Sequence, residues 1–270
     1  MKMGHVKQGQ VVRTKAQVPG LDPSAPYASR LSARSALFTE LHLLLDAEDT
    51  ALSSTAYRAL VITENKLSRS SASARAKLWK ELKARYRLDV ADSLFAAFWC
   101  EWRRCTSEAE RGLTAYVLFA LNDRLVADLG TELLFPLLRR APAELRPADI
   151  QAFIQRAKPA HPEVAEWSEE TLLAVVRKYS ASIRDFGLAK GITSKTTVRP
   201  ALYASPVRLL VRALRLNGMP ALQLVQAPVF RLIGLDGTEV IEALGELNRL
   251  GALRFRMQGD VVELDVTEGR

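Results

Sequence analysis

The sequence is poor in the residues that build reactive centres. Two cysteines, Cys100 and Cys105, and three histidines, His5, His42 and His161, are all it has in 270 residues. The cysteines fall on different faces of one predicted helix with no histidine nearby, so neither a local disulfide nor a zinc site follows. The histidines lie in an N-terminal tail, a helix and a proline-flanked loop, without the spacing of a metal site or a catalytic triad. No phosphate-cradling glycine loop opens a helix; GLDG at 234–237 reads as a turn and cap. The paired acids Glu108/Glu110 and Glu169/Glu170 sit in the first turns of predicted helices, where they offset the helix dipole. The expectation is a non-enzymatic protein with no catalytic residues, no metal and no cofactor. Long apolar runs are missing as well. Stretches such as Ala115–Leu121 are far short of the ~18–20 residues that cross a bilayer. The N-terminus lacks the apolar core of a signal peptide. These absences point to a soluble, cytoplasmic protein with no membrane partner.

What the chain does have is positive charge, and it is concentrated. The net charge is +8, yet 66–87 alone holds eight basic residues against one acid, Glu81. Ser70, Ser71 and Ser73 offer helix N-caps, and the residues after them are good helix formers. On a helical wheel Leu78, Trp79, Leu82 and Tyr86 share one arc, while Lys77, Lys80, Lys83 and Arg87 spread over the other. A short helix over Thr55–Ile62 and a polar connection over Thr63–Arg69 precede it. Helix, connection and basic helix form a helix-turn-helix-like pattern suited to nucleic acid. A plain solvated helix face has the same composition.

A second basic stretch, from Arg177 to Arg215, has nine basic residues and one acid, Asp185. Within it a helix starting at Ser205-Pro206 and stopping at Asn217-Gly218 buries Val207, Leu210, Val211 and Leu214. Arg208, Arg212 and Arg215 share its other face. Lys66, Arg69, Arg75, Lys77, Lys80, Lys83, Arg87, Lys195, Arg199, Arg208 and Arg212 are therefore the candidate nucleic-acid contacts.

The remaining pattern is mainly α. Residues 1–26, rich in Gly and Pro, read as a mobile extension. Residues 27–158 read as a helical bundle carrying the basic element, with a core helix over Val90–Cys105 and a helix over Leu125–Leu138 interrupted at Gly130 or kinked at Pro136. Residues 159–270 read as a winged-helix-like unit. There Ser168 caps a helix that ends at Gly187, and Leu188–Tyr203 has some strand character. Asp236 and Glu239 have capping-box spacing before a helix, and two alternating strands flank Gln258-Gly259-Asp260. The last helix carries Glu239, Glu242 and Glu246 against Arg249, so it is a poor reader of DNA. Arg254 and Arg256 on the hairpin are better placed for that. Protein contact is the preferred use of this unit.

The order Glu64-Asn65-Lys66-Leu67-Ser68-Arg69-Ser70, Ala74, Glu81-Leu82 and Arg85, followed by Trp167-Ser168, Thr171 and Asp185-Phe186-Gly187-Leu188, resembles the BrxA family of bacteriophage-exclusion (BREX) defence systems. The resemblance spans roughly Tyr27 to Val266. It implies a largely helical, non-enzymatic DNA-binding protein, with some similarity to NusB-type antitermination factors. Such proteins are encoded beside an adenine-specific DNA methyltransferase and large ATPase subunits. Only the Lys66–Arg87 region carries over as a nucleic-acid surface. The leading expectation is duplex DNA binding with weak sequence preference, alongside other defence-system subunits. A scaffold docking an acidic partner and NusB-type RNA binding stand as alternatives.

Overall fold

The computed structural model describes residues 18–266. The chain is mainly α, in the order α1 (Phe38–Asp46), α2 (Ser54–Ile62), α3 (Ala72–Tyr86), α4 (Ser93–Trp102), α5 (Glu108–Leu121) and α6 (Arg124–Asp128). A π-helical segment, Leu129–Leu134, leads into α7 (Phe135–Arg139), so the interruption expected at Gly130 is a widened turn and not a break. Then come β1 (Glu144–Leu145), α8 (Pro147–Ala157), α9 (Glu169–Asp185), β2 (Ala189–Lys190), β3 (Lys195–Thr197) and α10 (Ala204–Leu216). The described chain ends with α11 (Ala221–Leu224), α12 (Thr238–Arg249) and the hairpin β4 (Arg254–Gln258) and β5 (Val261–Asp265).

Local chemistry sets many of the helix starts. Side-chain oxygens of Ser53, Ser71, Ser107 and Ser168 each accept from the backbone N–H three residues on, and Asp92 accepts from Leu94 and Phe95. Each satisfies an N–H that the helix leaves unpaired. The capping box at α12 is only half made. Glu239 accepts from the Asp236 N–H, but the N-cap position is Gly237, so no side chain returns the bond.

α5 is the axis of the fold. From Leu113 to Leu121 every residue is buried, and α4, α10, α6 and α3 pack around it. A helix apolar on all sides belongs in the middle of a core. α10 lies against α4 and α5, and α9 against the 3-10 turn Ser29–Ser32. The buried cluster runs unbroken from Val18 to Leu264, so the boundary expected between 158 and 159 does not divide the core.

The expected extension also needs correction. Val18 is 2% exposed, and Pro19–Leu21 forms a 3-10 turn whose Gly20 backbone lies on Ala120 and Leu121 at the end of α5. Tyr27 stacks on His161 at 3.5 Å and donates its hydroxyl to Asp128. Residues 18–21 thus belong to the packed fold, while Asp22, Pro23, Ser24 and Pro26 are exposed; the first 17 lie outside the described residues.

Among the described residues strand forms two small sheets. β3 pairs antiparallel with both β1 and β2, and β4 pairs with β5 in the register Arg254↔Asp265, Arg256↔Glu263 and Gln258↔Val261. No helix of the described residues is long and apolar enough to cross a membrane.

Candidate nucleic-acid interface

α2 and α3 pack on each other across a connection with two left-handed residues, Asn65 (φ 53°) and Ser68 (φ 51°). The Asn65 side chain accepts from the Arg69 N–H at 2.8 Å, and the Lys66 N–H donates to Leu60 O at 3.0 Å. Side chains with local acceptors tolerate this conformation best.

α3 is fastened along one side. Leu78, Trp79, Leu82 and Tyr86 are all buried, as the wheel requires. The Tyr86 hydroxyl donates to Ala36 O at 2.6 Å. Arg85 is buried among its neighbours and donates to the carbonyls of Arg30, Arg34 and Ser35. Asn122, at the end of α5, donates to Arg85 O and Ala84 O. The other side carries Lys77, Lys80 and Lys83, all exposed, with the Lys83 ammonium 6.0 Å from the Trp79 ring. Lys66, in the turn before α3, is also exposed.

These four lysines share an electrostatic feature. Among the described residues every ion pair is made by arginine or histidine, and no lysine pairs with a carboxylate. Glu81, the acid of α3, is taken by Arg85. The lysine face is therefore uncompensated.

The other predicted contacts are engaged elsewhere. Arg69 pairs with Glu40, and Arg75 is half-buried and reaches Arg69 O. Arg87 does not share the exposed arc: it sits in left-handed conformation at the end of α3 and donates to Asp92 and Asn122. Lys195, half-buried on β3, donates to Ile192 O, and Arg199 shares Glu239 with Arg139.

The expected basic face of α10 is corrected most. It is turned onto α4, where Arg208 and Arg212 converge on Glu101. Arg208 is 8% exposed and Glu101 is 0% exposed. Burial pushes the Glu101 carboxyl up to about 7, against the opposing pull of Arg212 and Arg104. Glu110, read from the sequence as a dipole-compensating acid, clamps the start of α10 as well. Its Oε1 accepts from the Ser205 hydroxyl at 2.7 Å and the Ser205 N–H at 3.2 Å. The sequence reading missed Glu101, Arg104 and Asn122, and it took Arg85 only as part of the family pattern. An acid inside the aromatic run of α4 is the one local signal that could have drawn attention to Glu101.

The BrxA family model matches residues 25–213. The chain belongs to the BrxA family. No curated protein matches it. The matched span runs from just before Tyr27 into α10, so residues 214–266, with α12 and the hairpin, lie beyond it. Membership makes the protein a component of BREX phage defence, associated with other subunits of that system. Within this BrxA-family chain the motif at 64–70 forms the structured turn that leads into α3. Asp185-Phe186-Gly187 closes α9, with Gly187 at φ 80° and Phe186 O against Gly112 of α5. These motif residues shape backbone. Among the described residues no group of three His, Cys, Asp or Glu is placed to hold a metal ion.

Proposed function

We propose that this BrxA-family protein is a non-enzymatic, cytoplasmic DNA-binding subunit of its defence system. It grips duplex DNA through Lys66, Lys77, Lys80 and Lys83. The observation that carries the reading is the uncompensated lysine face of α3, held rigid by Arg85, Tyr86 and Asn122 and with its own acid drawn away. Ammonium groups without acidic partners are free to replace counterions on a phosphate backbone. The exposed cations of α3 are lysines, which act as point charges and bring no bidentate fork for a base edge. Binding should accordingly follow backbone more than sequence. The test is duplex DNA, duplex RNA and single-strand binding by the full chain over a salt series, comparing wild type with Lys77→Ala/Lys80→Ala. Equal affinity in both proteins overturns the reading, and preference for duplex RNA replaces DNA as the ligand.

A second reading concerns the C-terminal end, where Leu250 is 73% and Val261 74% exposed. Large apolar side chains left in water at the end of α12 and on β5 favour a role for this winged-helix-like end in docking another subunit.

A further inference from the structure

Three guanidiniums meet one carboxylate between α4 and α10. Arg208 Nε lies 3.1 Å from Glu101 Oε2, Arg212 Nε lies 3.1 Å from Oε1, and Arg104 Nη1 lies 3.5 Å from the same Oε1. Because Arg104 and Arg212 touch one oxygen, their guanidiniums stand side by side. Glu110, the other buried acid acting on Glu101, has its oxygens on Ser205 and Thr106 and pairs with no arginine. The nearby Arg103 is met by Asp49 and the Trp99 ring instead. One acid therefore serves three cations.

The excess is not dispersed into water. Arg208 Nη2 is buried and has no hydrogen-bond partner. A buried charge without a full set of partners is costly to the fold. Arg104 and Arg212 retain partial side-chain exposure, 31% and 19%, so the cluster opens to solvent at those two residues. Arg104 Nη1 is likewise buried without a hydrogen-bond partner, so two of the three guanidiniums keep N–H donors unspent, and such planar donors suit a tetrahedral oxyanion.

We propose that Arg104 and Arg212, backed by Arg208, form a phosphate-type oxyanion site at the α4–α10 junction. The site is separate from the lysine face of α3. Its ligand is a phosphate group, whether free or carried on a nucleic-acid backbone. An arriving phosphate supplies the negative charge that Glu101 alone does not, and it draws α4 and α10 together.

The probe is inorganic phosphate on the full chain, followed by thermal unfolding at fixed pH and matched ionic strength against sodium chloride. Ligand binding to the folded state raises the melting temperature in a saturable way, whereas general salt exclusion does not saturate. The expected result is a saturable rise in wild type and at least a tenfold weaker phosphate response in Arg104→Gln, the most exposed of the three. Arg212→Gln gives a second check, and Lys77→Ala/Lys80→Ala keeps the wild-type response. A wild-type response equal to that of chloride, or an unchanged response in Arg104→Gln, overturns the site. Duplex DNA then separates the two sources. Competition by phosphate and weaker DNA binding in Arg104→Gln identify a backbone phosphate, while unchanged DNA binding with a lost phosphate response identifies a free phosphate ligand.

Discussion

Arg85 donates to the carboxylate of Glu81 one turn earlier on α3, and this pair turns the helix's acid away from its lysines. The same guanidinium also donates to the carbonyls of Arg30, Arg34 and Ser35. It therefore fixes α3 to the segment before α1 and clears the cationic face in one arrangement. Arg85→Ala leaves those carbonyls and Glu81 without their donor, and should destabilise the fold by about 3–5 kcal/mol, the range for breaking a buried charged network. Arg85→Lys should recover little, because an ammonium cannot reproduce the fork. Denaturant unfolding of both variants checks this; a full rescue by lysine would show that only the charge matters.

Two glycines should respond to alanine with opposite signs. A Cβ on Gly20 would stand 2.3 Å from Ala120 O and 2.8 Å from Leu121 Cα, both backbone atoms that cannot swing aside. Gly20→Ala should cost ~1–3 kcal/mol, as overpacking does. Gly245, inside α12, meets nothing within 4 Å. Gly245→Ala should add about 0.5–1 kcal/mol through helix propensity. Thermal melts of the two variants report both signs, and a neutral Gly20→Ala would undo the docking of the 18–21 segment.

Burial raises the Asp123 carboxyl to about 6 from an ordinary value of 3.8. The folded state therefore holds this proton more tightly than the unfolded chain. Its contribution to stability is full below about pH 4 and is lost as pH rises through 6. A shift of about two units corresponds to roughly 3 kcal/mol across that window. Asp123→Asn keeps a good N-cap for α6 but cannot ionise. The variant should gain on wild type steadily between pH 4 and pH 7 in urea unfolding. A gap that stays constant with pH would mean that the carboxylate ionises normally.

The hairpin cations should be silent in DNA binding. Arg254 lies in register with Asp265 and Arg256 with Glu263, so an acid of β5 stands one strand away from each cation of β4. The acids of α12 add to the repulsion of phosphate. Arg254→Ala with Arg256→Ala should leave duplex affinity within about twofold in gel-shift titrations, since the acids of β5 and α12 keep phosphates away from this end. A marked loss would bring the hairpin onto the DNA.

What the sequence disclosed follows the range of the forces involved. Ser71 and Ser168 act on N–H groups three residues away, so their caps were legible. So was the buried arc of α3. The run Ala115–Leu121 was visible as too short for a membrane, but its place on the fold's axis depends on helices that arrive later in the chain. Arg208 and Arg212 looked like a surface stripe because their partner, Glu101, is 111 residues from Arg212. The two-residue strand β1 was hidden for the same reason, since β3, fifty residues on, supplies its hydrogen bonds. The docking of Val18–Leu21 was obscured by glycine and proline. Those residues suit a loop, but they also let backbone lie flat against α5.

The lysine face of α3 gives the sharpest test of function. Lys77 and Lys80 are exposed and form no ion pair, so removing them should hardly touch stability; surface charges of this kind contribute ~0–1 kcal/mol each. Their effect on binding should be larger because each ammonium that replaces a counterion contributes about 0.9 to the slope of log affinity against log salt. Lys77→Ala with Lys80→Ala should therefore flatten that slope by about 1–2 units and weaken all duplex sequences alike. Leu82→Ala provides the contrast. Leu82 is fully buried beneath the same face, and its truncation should cost ~2–5 kcal/mol of stability. A face that is merely solvated predicts no change in the double lysine variant. A face that docks a subunit predicts loss of that subunit with DNA affinity intact. Wild-type affinity together with a wild-type salt slope in the double variant would remove α3 as the DNA surface. The Arg104–Arg212 junction would then be the next cationic site to test.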